Sequence, residues 1–114
     1  MTSVVIVDDY APFRDSARGL LEAGGFEVVG EAENGREAIR LAAELRPDVV
    51  LLDVHLPDID GFEVTKRLVE LDPAPEVVLT SSRDDYASVA ARTAARAFIR
   101  KDELSAEALR SVLS

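Results

Sequence analysis

Two apolar runs that each end in aspartate decide the fold: VVIVDD at residues 4–9 and VVLLD at residues 49–53. A third run, VVL at residues 77–79, is followed by Thr80 and Ser81. Runs that are continuously apolar and rich in β-branched residues are typical of parallel strands whose two faces are both covered by helices. We therefore expect these three segments to form the centre of a parallel sheet.

Weaker apolar segments on either side complete a five-stranded pattern. Residues 26–32 place charged residues around a short apolar stretch, and residues 97–100 form a short run, as edge strands do. Segments with helical spacing separate the five strands, and this alternation gives right-handed crossovers and a parallel sheet with helices on both faces. We therefore expect a doubly wound α/β fold, with five strands and five helices, in a single domain over residues 1–114.

Spacing and capping residues predict where the helices lie. Four apolar residues at helical spacing follow Pro12 and predict the inward face of the first helix: Phe13, Ala17, Leu20 and Leu21. Asn34, Asp60 and Ser105 are the predicted N-caps of the second, third and fifth helices. The fourth helix is predicted around residues 84–95, where mainly alanine and valine would face the core, so we expect it to be weakly anchored.

The composition excludes several kinds of function. Lys and Arg together number 13 and Asp and Glu 22, and the resulting net charge of −9 argues against direct binding of nucleic acid. The chain has no Cys, which excludes thiol catalysis and cysteine-ligated zinc. Its apolar runs are far shorter than the roughly 20 residues of a membrane-spanning helix, and no basic region opens the chain. We expect a cytoplasmic protein that makes no membrane contact.

Three carboxylates follow central strands and are expected to meet at one edge of the sheet. Asp8 and Asp9 follow the first strand, and Asp53 ends the third. Like charges about 4 Å apart repel by roughly 1 to 4 kcal/mol at effective dielectric constants of about 80 to 20, and a cation would relieve that repulsion. Hard oxygen ligands favour Mg²⁺, with Mn²⁺ also suitable. Asp8 and Asp9 alone could instead form a turn and cap the next helix, but together with Asp53 they predict a divalent-cation site.

A hydroxyl and an ammonium group are expected at the same edge. Thr80 ends the fourth strand, and Lys101 follows the fifth. Alone, Thr80 is more often a strand-end residue or a helix cap, and Lys101 is more often a solvated surface charge. Beside a cation, the two side chains supply a hydrogen-bond donor and a compact positive charge to an anion. The combination therefore predicts an anion site next to the cation site.

Taken in order, these motifs resemble those of the receiver domain of two-component response regulators. The resemblance runs along nearly all 114 residues and rests on four segments: VVIVDD at 4–9, LLDVHLPDIDG at 51–61, VLTS at 78–81 and FIRK at 98–101. It implies a flavodoxin-like receiver fold with strand order 2-1-3-4-5. It also implies that Asp53 accepts a phosphoryl group from a sensor histidine kinase or a phosphotransfer protein.

The same resemblance assigns roles to the other site residues. Four groups would bind Mg²⁺: the carboxylates of Asp8, Asp9 and Asp53 and the backbone carbonyl of His55. Thr80 and Lys101 would hold the phosphoryl oxygens, and Thr80 and Phe98 would move on phosphorylation as a switch. Phe98 is equally well explained as a core or edge-strand residue. His55 and Ser82 would flank the route of a hydrolytic water and tune the phosphoryl lifetime, although an exposed loop side chain is the simpler interpretation of His55.

The resemblance implies a signalling phosphoacceptor that assists its own phosphorylation and dephosphorylation, and not an enzyme that releases a product. Its signal would pass to an output protein or a homodimer through the fourth helix, the fifth strand and the fifth helix. The family commonly has proline after the strand-five lysine, whereas Asp102 follows Lys101 here, so a trans peptide bond is predicted. No effector domain follows Ser114, which is compatible with a stand-alone receiver or with a fragment.

Two other interpretations stay open. A degenerate receiver would keep the fold and act as a protein-interaction module without phosphoryl chemistry, although every site position carries a competent residue. A Mg²⁺-dependent phosphohydrolase would need a second acid–base aspartate two residues after Asp53, where His55 stands, and the sequence has no glycine-rich phosphate loop. The phosphoaccepting receiver is the preferred interpretation, and the phosphohydrolase is the least favoured.

Overall fold

A computed structural model describes residues 1–82 and 93–114 of the chain. Five strands form one sheet: β1 Ser3–Val7, β2 Glu27–Ala32, β3 Val49–Asp53, β4 Glu76–Ser81 and β5 Ala97–Arg100. The α-helices within these two ranges are α1 Ala11–Ala23, α2 Gly35–Leu45, α3 Gly61–Leu68 and α4 Ala106–Leu113, and a short 3-10 helix covers Lys101–Glu103. The helix α4 is the one that the sequence predicts as the fifth.

The sheet is parallel throughout and has the strand order β2-β1-β3-β4-β5. The predicted fold class and strand order are therefore confirmed, and β2 and β5 are the edge strands that their sequences predict. In the register of β3 and β4, Asp53 lies beside Thr80. All five strands point the same way, so their carboxyl ends share one edge of the sheet.

The sheet separates two apolar clusters, because successive residues of a strand face opposite sides. In β1, Val5 and Val7 belong to one cluster, and Val4 and Ile6 to the other. The first cluster is completed by buried residues of α2 and α3, and the second by buried residues of α1 and α4. Helices cover both faces of the sheet, as the continuous apolar runs predict.

The three predicted N-caps are confirmed. Each side-chain oxygen accepts a hydrogen bond, between 2.8 and 3.0 Å long, from the backbone N–H three residues further along, at Asn34, Asp60 and Ser105. Each cap satisfies a backbone donor that has no partner within its helix. These caps fix the starts of α2, α3 and α4, and Asp60 thereby fixes the end of the loop that follows Asp53.

Two helix predictions need correction. Leu20 is 46% exposed, whereas Ala17 and Leu21 are buried, because Leu20 lies about 100° of helix rotation away from Leu21 and outside the stripe that faces the sheet. The predicted fourth helix lies mostly outside the described residues, but its predicted end at Ala95 is wrong, since residues 93–95 are not helical. The peptide bond between Lys101 and Asp102 is trans, as predicted.

None of the helices in residues 1–82 and 93–114 combines the length and the apolar character that crossing a membrane requires.

Candidate functional site

The residues predicted to form the site come together at the carboxyl edge of the sheet. Asp8 and Asp9 follow β1, Asp53 is the last residue of β3, Thr80 lies in β4, and Lys101 follows β5. Parallel strands bring residues that are far apart in sequence to one edge, which is where open α/β sheets bind ligands. The predicted grouping of these five residues is therefore present in the structure.

The three carboxylates form a compact acidic cluster. One carboxylate oxygen from each of Asp8, Asp9 and Asp53 lies within 4.8 Å of the other two. Asp8 is 0% exposed and Asp53 is 4% exposed, whereas Asp9 is open to solvent. Two buried carboxylates this close to a third repel one another strongly unless positive charge is nearby. A set of hard oxygen donors with an exposed member fits Mg²⁺ or Mn²⁺, which keep water ligands.

Lys101 supplies positive charge to this cluster. Its Nζ lies 2.5 Å from Oδ2 of Asp8 and 3.3 Å from Oδ2 of Asp53. The same nitrogen lies 4.7 Å from the centroid of the Phe13 ring, within the range of a cation–π contact. The sequence predicts Lys101 as an anion-binding residue but gives no sign of its ion pair with Asp8, because that contact depends on the path of the turn after β5.

Burial and the neighbouring charges shift the pKa values of Asp53 and Lys101. Burial raises the pKa of Asp53, and the charge of Asp8 raises it further, while Lys101 and the N–H of His55 act in the opposite direction. For Lys101, burial lowers the pKa, but its hydrogen bond to Asp8 and the charges of Asp53 and Asp8 outweigh burial, and the pKa is raised. Burial and the charge of Asp8 thus make the surroundings of the Asp53 carboxylate net unfavourable for its negative charge, and an added cation would relieve this.

Backbone N–H groups orient the two buried carboxylates. The N–H of His55 donates to Oδ1 of Asp53 at 3.2 Å, and the N–H of Tyr10 donates to Oδ1 of Asp8 at 2.9 Å. In each carboxylate, the other oxygen faces Lys101. His55 itself is exposed in the loop after β3, and the role of its carbonyl as a metal ligand stays a prediction.

Gly61 allows the chain to pass close behind Asp53. A Cβ atom at Gly61 would lie 2.6 Å from the backbone oxygen of Asp53 and 2.8 Å from Cα of Val54. The N–H of Gly61 also donates to the backbone oxygen of Val54 at 2.7 Å. The start of α3 is thus packed directly against the strand end that carries Asp53, where a side chain larger than hydrogen has no room.

Thr80 presents a buried hydroxyl without a partner. Its side chain is 1% exposed, and within the described ranges its Oγ1 makes no hydrogen bond. An unpaired buried hydroxyl is unfavourable and therefore needs an explanation, and a role in binding a ligand is one. Phe98 is half-buried and packs against the cluster on the α2 and α3 side of the sheet. The switch of Thr80 and Phe98 stays a prediction. Ser82 is exposed and directly follows β4.

Two further side chains near the site make contacts that the sequence does not predict. Nη1 of Arg14 donates to the backbone oxygen of Asp8 at 2.5 Å. Asp58, in the loop after β3, accepts hydrogen bonds at 2.8 and 2.9 Å from the N–H groups of Gly35 and Arg36 at the start of α2. An arginine one turn into a helix and an aspartate in a loop are too common to single out without the tertiary contacts.

The chain is similar to known proteins in its sequence and in its fold. A family model described as response regulator receiver domain matches residues 4–114. Among solved structures, the receiver domain of the response regulator NarL from Mycobacterium tuberculosis is similar, with a TM-score of 0.88 and 33% identity over 98% of this chain and 93% of that one. The response regulator domain of CheB from Thermotoga maritima gives a TM-score of 0.85 at 28% identity, over 99% of this chain and 94% of that one.

Curated relatives differ in how much of their length this chain spans. It is 37% identical to the chemotaxis protein CheY of Thermotoga maritima, over 86% of this chain and 83% of CheY. It is 36% identical to the transcriptional regulatory protein YdfI of Bacillus subtilis, over 92% of this chain but 50% of YdfI. A protein-glutamate methylesterase of Hahella chejuensis is 48% identical over 69% of this chain and 23% of that protein.

Proposed function

The chain belongs to the response regulator receiver domain family, and on that basis we propose that it is a signalling phosphoacceptor whose Asp53 receives a phosphoryl group. The donor would be the phosphohistidine of a sensor histidine kinase or of a phosphotransfer protein. The observation that carries the proposal is the convergence of two buried carboxylates, an exposed carboxylate, an ammonium group and an unpaired hydroxyl at one edge of the sheet.

The reaction is an in-line displacement at phosphorus. A carboxylate oxygen of Asp53 forms a bond to phosphorus while the bond between phosphorus and the histidine nitrogen breaks, and that nitrogen keeps the electron pair. Lys101, which faces Asp53, would donate to the phosphoryl oxygens and balance their charge. Thr80 lies beside Asp53 in the sheet register, and its unpaired hydroxyl would donate to another phosphoryl oxygen.

Asp8, Asp9 and Asp53 would hold Mg²⁺, or Mn²⁺ in its place, with the backbone carbonyl of His55 as a further ligand. When bound, the cation neutralises the acidic cluster and the incoming phosphoryl oxygens, which otherwise repel each other. The fit rests on the chemistry of the donor set: three carboxylate oxygens within 4.8 Å of one another, two of them on buried side chains. Asp53 is therefore proposed both as a ligand and as the nucleophile.

Phosphorylation would be read by a protein partner. The added charge, about −2 at neutral pH, would draw the hydroxyl of Thr80 toward the phosphoryl group and change the packing of Phe98. We propose that the output protein, or a second copy of the chain, binds the surface formed by the predicted fourth helix, by β5 and by α4. Residues 84–92 of that predicted helix lie outside the described residues. We propose no direct contact with nucleic acid or membrane. The cytoplasmic location stays a prediction.

A degenerate receiver is the competing function. It would use the same fold as a protein-interaction module and would carry no phosphoryl group. The unpaired hydroxyl of Thr80 favours the phosphoacceptor, since a module without phosphoryl chemistry gains nothing from an unpaired buried donor beside Asp53.

The test is the intact mass of the purified protein after incubation with acetyl phosphate or phosphoramidate, in Mg²⁺ and in EDTA. A single phosphoryl adduct that requires Mg²⁺ and is lost in Asp53→Ala is the expected result. Asp15→Ala is the matched control, because Asp15 is an exposed aspartate of α1 that does not belong to the acidic cluster, and its substitution should leave the adduct unchanged. Absence of an adduct, together with failure to bind beryllofluoride as a phosphoryl mimic, would favour the interaction module.

A further inference from the structure

Arg14 connects the acidic loop to the edge of the sheet. It lies in the second turn of α1, and its side chain is only 16% exposed. Nη1 donates to the backbone oxygen of Asp8 at 2.5 Å, and Nε donates to Oε1 of Glu31 at 3.1 Å. Glu31 belongs to the edge strand β2 and is 25% exposed. A single guanidinium group thus bridges the loop after β1 and the neighbouring strand.

Arg18 offers a natural comparison on the same helix. Its Nε donates to Oε2 of Glu31 at 2.7 Å, so the two arginines share one carboxylate. Its Nη1 contacts Glu22 at 3.3 Å and the backbone oxygen of Val28 at 3.5 Å. Arg18 therefore makes the same ion pair as Arg14 but touches no residue of the acidic cluster.

The hydrogen bond from Arg14 is one of three that hold Asp8 in place. The N–H of Asp8 donates to the backbone oxygen of Ala32 at 3.0 Å, and its Oδ1 accepts from Tyr10. With Arg14 on its carbonyl, both the backbone and the side chain of Asp8 are held. Asp9 follows directly and is exposed, and no hydrogen bond or ion pair holds its carboxylate within residues 1–82 and 93–114. The direction of the Asp9 side chain therefore depends on the backbone that Arg14 anchors.

We propose that Arg14 is a positioning residue for the divalent-cation site, and that Glu31 orients it. Arg14 is not a ligand. By holding the carbonyl of Asp8, it sets the direction in which Asp8 and Asp9 present their carboxylates to the cation. The proposal rests on the proposed function, because it presupposes that the acidic cluster binds Mg²⁺ or Mn²⁺.

The direction in which cation affinity changes when Arg14 is removed distinguishes a positioning role from a simple effect of its positive charge. If Arg14 acted only through its positive charge, removing that charge would strengthen cation binding. If it positions the ligands, removing it weakens cation binding, in the way that the loss of groups supporting metal ligands commonly reduces affinity.

The experiment measures Mg²⁺ affinity by isothermal titration calorimetry, and Mn²⁺ affinity by electron paramagnetic resonance, on the unphosphorylated chain. Arg14→Met is compared with Arg18→Met, each checked for thermal unfolding in EDTA. We expect Arg14→Met to weaken cation binding about 10-fold and Arg18→Met to weaken it less than about 2-fold. With phosphoramidate as donor, Arg14→Met should need more Mg²⁺ for half-maximal phosphorylation while keeping a near-normal rate at saturating Mg²⁺.

Equal affinities in the two variants, or tighter binding in Arg14→Met, would overturn the role of Arg14 and leave the proposed function standing. Failure of the unmodified chain to bind either cation would overturn both. Should Arg14→Met not fold, Glu31→Gln and Arg14→Lys decide the question. Glu31→Gln keeps the Arg14 donor to the backbone oxygen of Asp8 but removes the ion pair that orients Arg14. Arg14→Lys keeps the positive charge but loses the guanidinium group that donates to Asp8 and Glu31 at the same time. Weaker cation binding in both supports the proposal, and unchanged binding in both overturns it.

Discussion

The ammonium nitrogen of Lys101 lies closer to Asp8 than to the proposed phosphoacceptor, 2.5 Å from Oδ2 of Asp8 against 3.3 Å from Oδ2 of Asp53. Asp8 is fully buried, and the side chain of Lys101 is 21% exposed. Lys101 thus balances the charge of the most buried carboxylate of the cluster, and part of its side chain stays accessible to solvent. It is the positive group closest to these carboxylates among the contacts of the described residues.

Removal of Lys101 should therefore destabilise the protein in a way that Mg²⁺ corrects. We expect Lys101→Met to lower the free energy of unfolding by about 2 kcal/mol in EDTA, between the small effect of a surface pair and the larger effect of a buried one. Saturating Mg²⁺ should restore most of the loss. Urea denaturation with and without Mg²⁺ measures both values.

Lys66→Met is the matched control, since Lys66 is an exposed residue of α3, and its loss should change stability by less than about 0.5 kcal/mol. A loss in Lys101→Met that is the same with and without Mg²⁺ would contradict the proposed charge balance.

Substitution of Gly61 should disturb both stability and phosphorylation. A Cβ in Gly61→Ala would lie 2.6 Å from the backbone oxygen of Asp53, so the strand end or α3 must move. We expect a loss of about 1 to 3 kcal/mol and slower adduct formation with phosphoramidate. Gly19→Ala is the control: nothing lies within 4 Å of its added Cβ, and alanine in mid-helix should stabilise by about 0.5 to 1 kcal/mol. Normal phosphorylation of Gly61→Ala would argue against this packing.

The hydroxyl of Thr80 should be unnecessary for stability and necessary for the response. Because Oγ1 has no hydrogen bond within the described ranges, Thr80→Val should stabilise the unphosphorylated protein by about 1 kcal/mol. Thr65→Val is the contrast, since Oγ1 of Thr65 donates to the backbone oxygen of Gly61 at 2.7 Å, and its loss should destabilise by about 1 kcal/mol. Beryllofluoride should shift the NMR signals of Phe98 in the wild type and not in Thr80→Val. A normal shift in Thr80→Val would exclude Thr80 as the switch.

Asp58 should stabilise the protein in a pH-dependent manner. Burial is the largest single effect and raises its pKa, but the hydrogen bonds from the N–H groups of Gly35, Arg36 and Ile59 together outweigh burial, and the pKa is lowered below its usual value of 3.8. A carboxyl group with a lowered pKa in the folded state stabilises that state above pH 3.8, and this contribution is lost as the pH falls through the lowered value.

Asp58→Ala removes the two hydrogen bonds that the first N–H groups of α2 donate to this side chain, and should cost about 1 kcal/mol at pH 7, with a smaller difference from the wild type at pH 2.5. Urea denaturation at the two pH values measures the change. A difference that is as large at pH 2.5 as at pH 7 would show that the carboxylate charge is not the stabilising feature.

The sequence predicts much of this architecture, because the features that define it are local. Apolar runs locate the strands, Asn34 and Asp60 locate helix starts, and parallel strands must bring Asp8, Asp9 and Asp53 to one edge. The individual hydrogen bonds and ion pairs of side chains near that edge do not follow from the sequence. Those of Arg14, Asp58 and Lys101 depend on how loops cross the edge, which no spacing rule encodes. The exposure of Leu20 was missed because a spacing pattern does not define the width of the contact between a helix and the sheet.

The strand order determines how late in synthesis the acidic cluster can gain the positive charge of Lys101. Lys101 and Asp53 are in contact although they are 48 positions apart in the sequence, and β1 reaches β4 only through β3. A nascent chain that has left the ribosome only as far as β4 can pair four strands but has no ammonium group facing its carboxylates. The acidic site is therefore electrostatically unbalanced until the last strand docks.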